Sequence, residues 1–167
     1  MHQSKIVSGL PKSRLYAELA QELGSLIAGE PDLTANLANA AALLFHSLPD
    51  LNWAGFYLLK NGELVVGPFQ GKPACIRISI GKGVCGTAAE RRATLLVTDV
   101  NQFPGHIACD AASNSEIVVP MIAGDELLGV LDLDSPSLRR FDIEDQAGLE
   151  EFARVLLSEW RTTDRGR

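Results

Sequence analysis

The chain has 167 residues, 46% of them hydrophobic and 22% charged, and carries a net charge of −6. That balance suits a soluble globular domain with one proper core. It speaks against nucleic acid as a partner, because no basic block longer than a pair precedes the tail, and against a membrane span, because no apolar run approaches the roughly 20 residues a bilayer requires. Met1–Lys5 has no apolar segment behind it, so no secretory signal is expected and the cytoplasm is the expected compartment.

Residues 12–28 read as an amphipathic helix, with Leu15, Leu19, Leu23, Leu26 and Ile27 on one face and Gly29 and Pro31 ending it. Pro31-Asp32 opens a second helix with a stripe of Leu33, Leu37, Ala41, Leu44 and Leu48. The period then changes. Trp53–Leu59 and Glu63–Phe69 are apolar and aromatic runs joined by Asn61-Gly62, a strong hairpin signal. Pro73–Ile80 alternates as a third strand, with Cys75, Arg77 and Ser79 on one side. The glycine-rich run Gly81–Gly86 leads into a short helix, Thr87–Arg92, followed by a strand over Thr94–Thr98. A loop of turn residues, Phe103–Glu116, precedes a second hairpin, Glu116–Ala123 and Glu126–Asp134, turning at Gly124-Asp125. Asp142 caps a final helix with Leu149, Phe152, Ala153, Leu156, Leu157 and Trp160 on its apolar face, and Thr162–Arg167 reads as a frayed tail. This order predicts an α+β domain: about six strands, mostly antiparallel, covered by helices, with the first and last helices on one face.

The candidate chemistry lies in the cysteines and carboxylates. Cys75, Cys85 and Cys109 are 10 and 24 residues apart, which fits no zinc knuckle. A site of all three with His106 is conceivable but less favoured than free thiols, since an odd count closes no disulfide framework and a reducing compartment favours thiols. Cys85 stands at an expected helix start beside Lys82, where the helix dipole would lower a thiol pKa. The flanking glycines also allow a tight turn with Cys85 packed inward, and that reading is slightly favoured. Cys109 sits in the 103–116 loop with His106 and Asp110. The histidine would activate a thiolate and the aspartate oppose it, and the sequence does not decide between them. Asp132 and Asp134 are two apart on a strand and share a face opposite Leu131 and Leu133, with Glu116 opening the neighbouring strand. They are either the solvated end of a hairpin or a carboxylate cluster that binds an ammonium group or donates a proton. Trp53 is core or pocket wall, with core the better default.

Read together, several runs resemble one family. Asn52–Leu58, Gly67–Arg77, Gly81–Ala89, Asp99–Asp110, Ser113–Pro120 and Gly129–Pro136 are similar to the free methionine-(R)-sulfoxide reductases, which are single GAF-domain enzymes. The resemblance implies one GAF-like domain over residues 1–167, with a core of about 14–160, a six-stranded antiparallel sheet with helices on both faces, and a homodimer. It implies reduction of free L-methionine-(R)-sulfoxide with thioredoxin as external reductant and no metal or organic cofactor. It places the attacking thiol at Cys109 and its disulfide partner at Cys75 or Cys85; the expected strand position of Cys75, against a helix start for Cys85, gives a weak preference for Cys75. Substrate is held by Glu116, Asp132 and Asp134, with Trp53 against its methyl group. The dipole argument favours Cys85 as nucleophile and the resemblance favours Cys109, which we follow. The competing class is a GAF-type module that senses a small ligand without catalysis.

Overall fold

The structure is a computed structural model that describes residues 9–107 and 110–163, the last five of them for the backbone alone. Cys109 therefore lies outside the described residues, as does the side chain of Trp160. The elements in chain order are α1 (Lys12–Ile27), α2 (Leu33–Ser47), β1 (Trp53–Lys60), β2 (Glu63–Gly71), β3 (Arg77–Ser79), α3 (Gly83–Arg91), β4 (Leu95–Val97), β5 (Ser115–Ala123), β6 (Glu126–Ser135) and α4 (Ile143–Thr163), with a short 3-10 turn at Val100–Gln102. The six strands form one sheet in the order β3-β2-β1-β6-β5-β4, and every neighbouring pair is antiparallel. Among the described residues no helix is long and apolar enough to cross a membrane.

Alternation along β1, β5 and β6 divides the sheet into two working faces. Ala54, Phe56, Ile117, Val119, Met121, Leu131 and Leu133 face α1, α2 and α4 and form the larger core with Leu19, Leu23, Leu44 and Phe152. Trp53, Tyr57, Val118 and Val130 face the other way and pack with Val84, Cys85, Ala88 and Ala89 of α3. Helices thus cover both faces, and the first and last helices share one. Their ends are set locally. The Asp32 carboxylate accepts from Ala35 N–H at the start of α2. At the start of α4, Asp142 accepts from Glu144 and Asp145 N–H, while the Asp145 carboxylate accepts from Asp142 N–H. Asp145 is fully buried and also receives Tyr16 Oη and Arg140 Nη1, tying α1, α4 and the segment after β6 together.

Several boundaries differ from the sequence expectation, three of them with a bearing on the site or the chain end. The third strand does not run from Pro73 to Ile80. It is confined to Arg77–Ser79, and Ile76 just before it is 69% exposed. Proline cannot donate to a ladder, and the carbonyls of Lys72 and Cys75 are taken by side chains of β1: Trp53 Nε1 donates to Lys72 O and Tyr57 Oη to Cys75 O. Helix α3 starts at Gly83 rather than Thr87, with Gly86 N–H donating to Lys82 O at 2.9 Å in its first turn. Helix α4 continues through Thr163, so Thr162 and Thr163 belong to it, and the remainder of the expected frayed tail lies outside the described residues.

The packing of α1 on α4 distinguishes two helix-interior glycines. A Cβ on Gly148 would stand 2.1 Å from Tyr16 Cγ, whereas one on Gly24 would meet Val155 Cγ1 at an ordinary 3.7 Å. Alanine gains about 1 kcal/mol over glycine inside a helix, and overpacking costs about 1–3 kcal/mol and more when the ring is pinned. Gly24→Ala should therefore raise the urea midpoint and Gly148→Ala should lower it, both at unchanged m value. A stabilising Gly148→Ala would contradict this packing.

Candidate active site

On the α3 face of the sheet, strands β5 and β6 bring three carboxyl groups together. Glu116 and Asp134 are directly paired across the two strands, and Asp132 pairs with Val118 one step along the same face. Trp53 and Gly55 of β1 stand opposite Asp134 and Asp132 on the other side of β6. Glu116 and Asp132 are each only 5% exposed. These are the three carboxylates marked in the sequence, and they line a cavity with Trp53, Tyr57, Cys85 and His106. They do not form the solvated edge of a hairpin.

The cavity wall is aromatic. Trp53 stacks on Phe69 at 5.2 Å between centroids and on Tyr57 at 5.8 Å. Gly55 makes room for this stack, because a Cβ there would lie 2.3 Å from that of Phe69 and 2.8 Å from Trp53 Cη2. Trp53 is both core and pocket wall, so the two sequence readings of it coincide. Tyr57 is a lining residue that the sequence reading missed. Its signal was available: Trp53, Gly55 and Tyr57 alternate along β1 on the face opposite Phe56.

Cys85 lies in the first turn of α3 and faces the carboxyl cluster. Its thiol donates to Glu116 Oε1 at 3.9 Å. The expectation of a lowered thiol pKa is overturned. Burial, then the nearby Asp132 and Glu116, push the Cys85 thiol well above its ordinary value. The inward-packed reading of Cys85 holds. The carboxyl groups follow the same logic. Burial raises Asp132 to about 7, and burial with the charge of Asp132 raises Glu116 and Asp134 well above the usual carboxylate range.

His106, Ile107, Asp110 and Ser113 line the cavity from the segments between the 3-10 turn and β5. His106 Nε2 lies 3.7 Å from Glu116 Oε2, and burial lowers its imidazole below the ordinary value. Asp110 also lines the cavity, and its charge adds to the rise of Asp134. Ala112 N–H, Lys72 Nζ and Asn52 Nδ2 all reach the Asp110 carboxylate and keep it below the usual range. Asn52, also missed in the sequence, donates to Ser113 Oγ as well. Of the cysteines, Cys85 is a free thiol and Cys75 is disulfide-bonded. A site of three cysteines and His106 is thus unsupported in this state, because a disulfide sulfur is not a thiolate ligand.

Comparisons with known proteins place the chain in a family. Residues 34–156 fit the family model described as GAF domain. The free methionine-R-sulfoxide reductase of Escherichia coli is 52% identical over 153 residues, covering 92% of this chain and 93% of that protein. The chain belongs to the free methionine-R-sulfoxide reductase family. A solved reductase of this family from Neisseria meningitidis, in complex with its substrate, superposes with a TM-score of 0.94 at 42% identity and covers all of both chains. A candidate GAF sensor protein from Burkholderia vietnamiensis superposes with a TM-score of 0.90 at 59% identity, covering 93% of this chain and 99% of that one.

The carboxyl cluster gives this reductase-family fold a pH signature. A carboxyl whose pKa is raised in the folded state contributes stability that is fully present below its unfolded value, 3.8 for aspartate, and is lost as pH rises through its folded value, about 7 for Asp132. Wild type should therefore lose stability relative to Asp132→Asn as pH climbs between those limits, in denaturant titrations at matched ionic strength. Parallel stability curves for the two proteins would show that Asp132 ionises freely in the folded state.

Proposed function

We propose that this chain reduces free L-methionine-(R)-sulfoxide to methionine. The observation that carries the reading is the buried convergence of Glu116, Asp132 and Asp134 beneath an aromatic wall. The only lysine or arginine among the described lining residues is Lys72, and its ammonium is engaged by Asp110. An amino acid with a free ammonium group supplies the missing positive charge, and a peptide-bound residue does not. The Trp53 and Tyr57 rings suit the apolar methyl end of the substrate.

The chemistry needs an acid, a nucleophile and a second thiol. Glu116 is the carboxyl that stands beside His106, which can return a proton to it, so Glu116 protonates the sulfoxide oxygen. The Cys109 sulfur attacks the sulfoxide sulfur, oxygen passes to Cys109, and methionine leaves reduced by two electrons while Cys109 becomes a sulfenic acid. The Cys75 thiol then attacks that sulfenic sulfur and water leaves, forming a disulfide. An external dithiol of the thioredoxin class reduces it and is itself oxidised to a disulfide. Cys75 is the better partner for Cys109, because Cys85 is a buried free thiol whose pKa is raised. No step requires a metal or organic cofactor. Recycling by thioredoxin and action as a homodimer rest on the family resemblance.

The similarity to a GAF sensor favours one second reading, a module that binds a small ligand without turnover. Thiol counting separates the two: on adding methionine sulfoxide to the fully reduced chain, the enzyme loses two thiols and a sensor loses none. In single turnover, Cys109→Ser should release no methionine, and a normal burst from that variant would reassign the nucleophile. Peptide mapping after turnover should give a Cys75–Cys109 linkage, and a dominant Cys85–Cys109 peptide would reverse that pairing. Wild type should also discriminate against N-acetylated methionine sulfoxide on the order of 10⁴-fold, since the acetyl compound leaves the buried carboxyls without their partner. Equal rates on both compounds would overturn the ammonium argument.

A further inference from the structure

We infer that the carboxyl cluster is also a site for a borderline divalent cation of the zinc and cadmium class, which binds in place of the substrate ammonium and so inhibits the reaction. The inference rests on the substrate reading above, in that both occupants would use the same carboxylates. One ligand atom from each of Cys85, Glu116 and Asp132 lies within 4.8 Å of the other two, and all three residues are buried. Closer measures are the Cys85 Sγ to Glu116 Oε1 distance of 3.9 Å and the Glu116 Oε2 to His106 Nε2 distance of 3.7 Å. In a tetrahedral zinc site the ligand atoms stand about 3.3–3.7 Å apart, as bonds of about 2.0–2.3 Å require, so a bound ion would draw the Cys85, Glu116 and Asp132 atoms together from separations of at most 4.8 Å.

A second observation points to a ligand independently of the clustering. Asp132 is 95% buried, being 5% exposed, and its Oδ1 has no hydrogen-bond partner. A buried carboxylate oxygen left without a donor is costly, and Asp132 lines the cavity. A divalent ion would satisfy Oδ1 at once. The donor set of one thiolate and two carboxylates selects the class of ion. Magnesium and calcium prefer all-oxygen shells, whereas zinc and cadmium accept sulfur together with carboxylate.

Cys85 is free while Cys75 is disulfide-bonded, which makes a clean test available. The chain is prepared with the Cys75 disulfide formed and no reductant present, so that the Cys85 sulfur is the thiolate to be reported. Cadmium is titrated in and the ultraviolet thiolate-to-cadmium absorption followed. The expected result is one ion per chain with one thiolate band, absent from Cys85→Ser, and affinity weakened by more than about tenfold in Asp132→Asn, in line with the usual sensitivity of metal sites to the groups that hold them. Free methionine should raise the apparent dissociation constant of cadmium. Zinc should raise the KM of the reductase reaction with kcat unchanged. The absence of a thiolate band at saturating cadmium in wild type would overturn the inference whatever the variants do. So would a band insensitive to both substitutions, or one indifferent to methionine. Activity without added metal is measured separately, so a failed metal titration leaves the reductase reading intact, and a chain that binds cadmium without turning over leaves the metal site intact.

Discussion

Carboxyl groups resist ionising when they are buried side by side, and the antiparallel pairing of β5 and β6 leaves Glu116, Asp132 and Asp134 no other arrangement. Glu116 and Asp134 are directly opposite, and the side-chain period of two puts Asp132 on the same face. The register that creates this is enforced from the far side of the sheet. Ile117, Leu131 and Leu133, which alternate with the acids, are fully buried among the helices. A slip of one residue would turn the acids into that core and the leucines into the cavity. The hydrophobic core thus holds the reactive face in place from behind.

That constraint decides the character of Cys85. The residue does occupy the first turn of a helix, and the dipole there favours a thiolate by about 0.3–1 kcal/mol. Against it stand full burial and two nearby carboxyls, effects that can move a pKa by several units at about 1.4 kcal/mol each. Burial wins, and Cys85 stays a thiol that donates toward Glu116. A thiol in that position fills space and supplies a proton donor to the cluster. A thiolate there would add a further negative charge to three acids.

Much of this was legible in the chain. The Asn61-Gly62 turn, the Asp32 and Asp142 caps and the opposed faces of Leu131/Asp132 and Leu133/Asp134 each rest on interactions within a few residues. Local pattern therefore finds them. The starts of β3 and α3 differ from the sequence expectation because distant groups set them. Side chains of β1 occupy the carbonyls of Lys72 and Cys75, and Gly86 lies so close to Ser79 O that a Cβ would stand 2.3 Å from it. Tyr57 and Asn52 carried signals that a reading focused on thiols and acids passed over. Tyr57 repeats the Trp53 face of β1, and Asn52 precedes that strand and reaches Asp110 and Ser113 across the cavity mouth.

The bonds from Trp53 to Lys72 O and from Tyr57 to Cys75 O give these two aromatic residues a double duty. Their ring faces shape the cavity, and their polar edges fix the backbone that carries the disulfide-bonded Cys75. Selection therefore cannot retune one property through these positions without disturbing the other. A lineage drifting toward a bulkier ligand would find its easiest route, enlargement of the aromatic wall, opposed by the loss of the bonds that hold the Lys72–Cys75 backbone. Changes in ligand preference should accumulate instead at wall residues without such a bond, such as Ile78 and Ile107, leaving Trp53 and Tyr57 as the slowest-changing pair in the cavity.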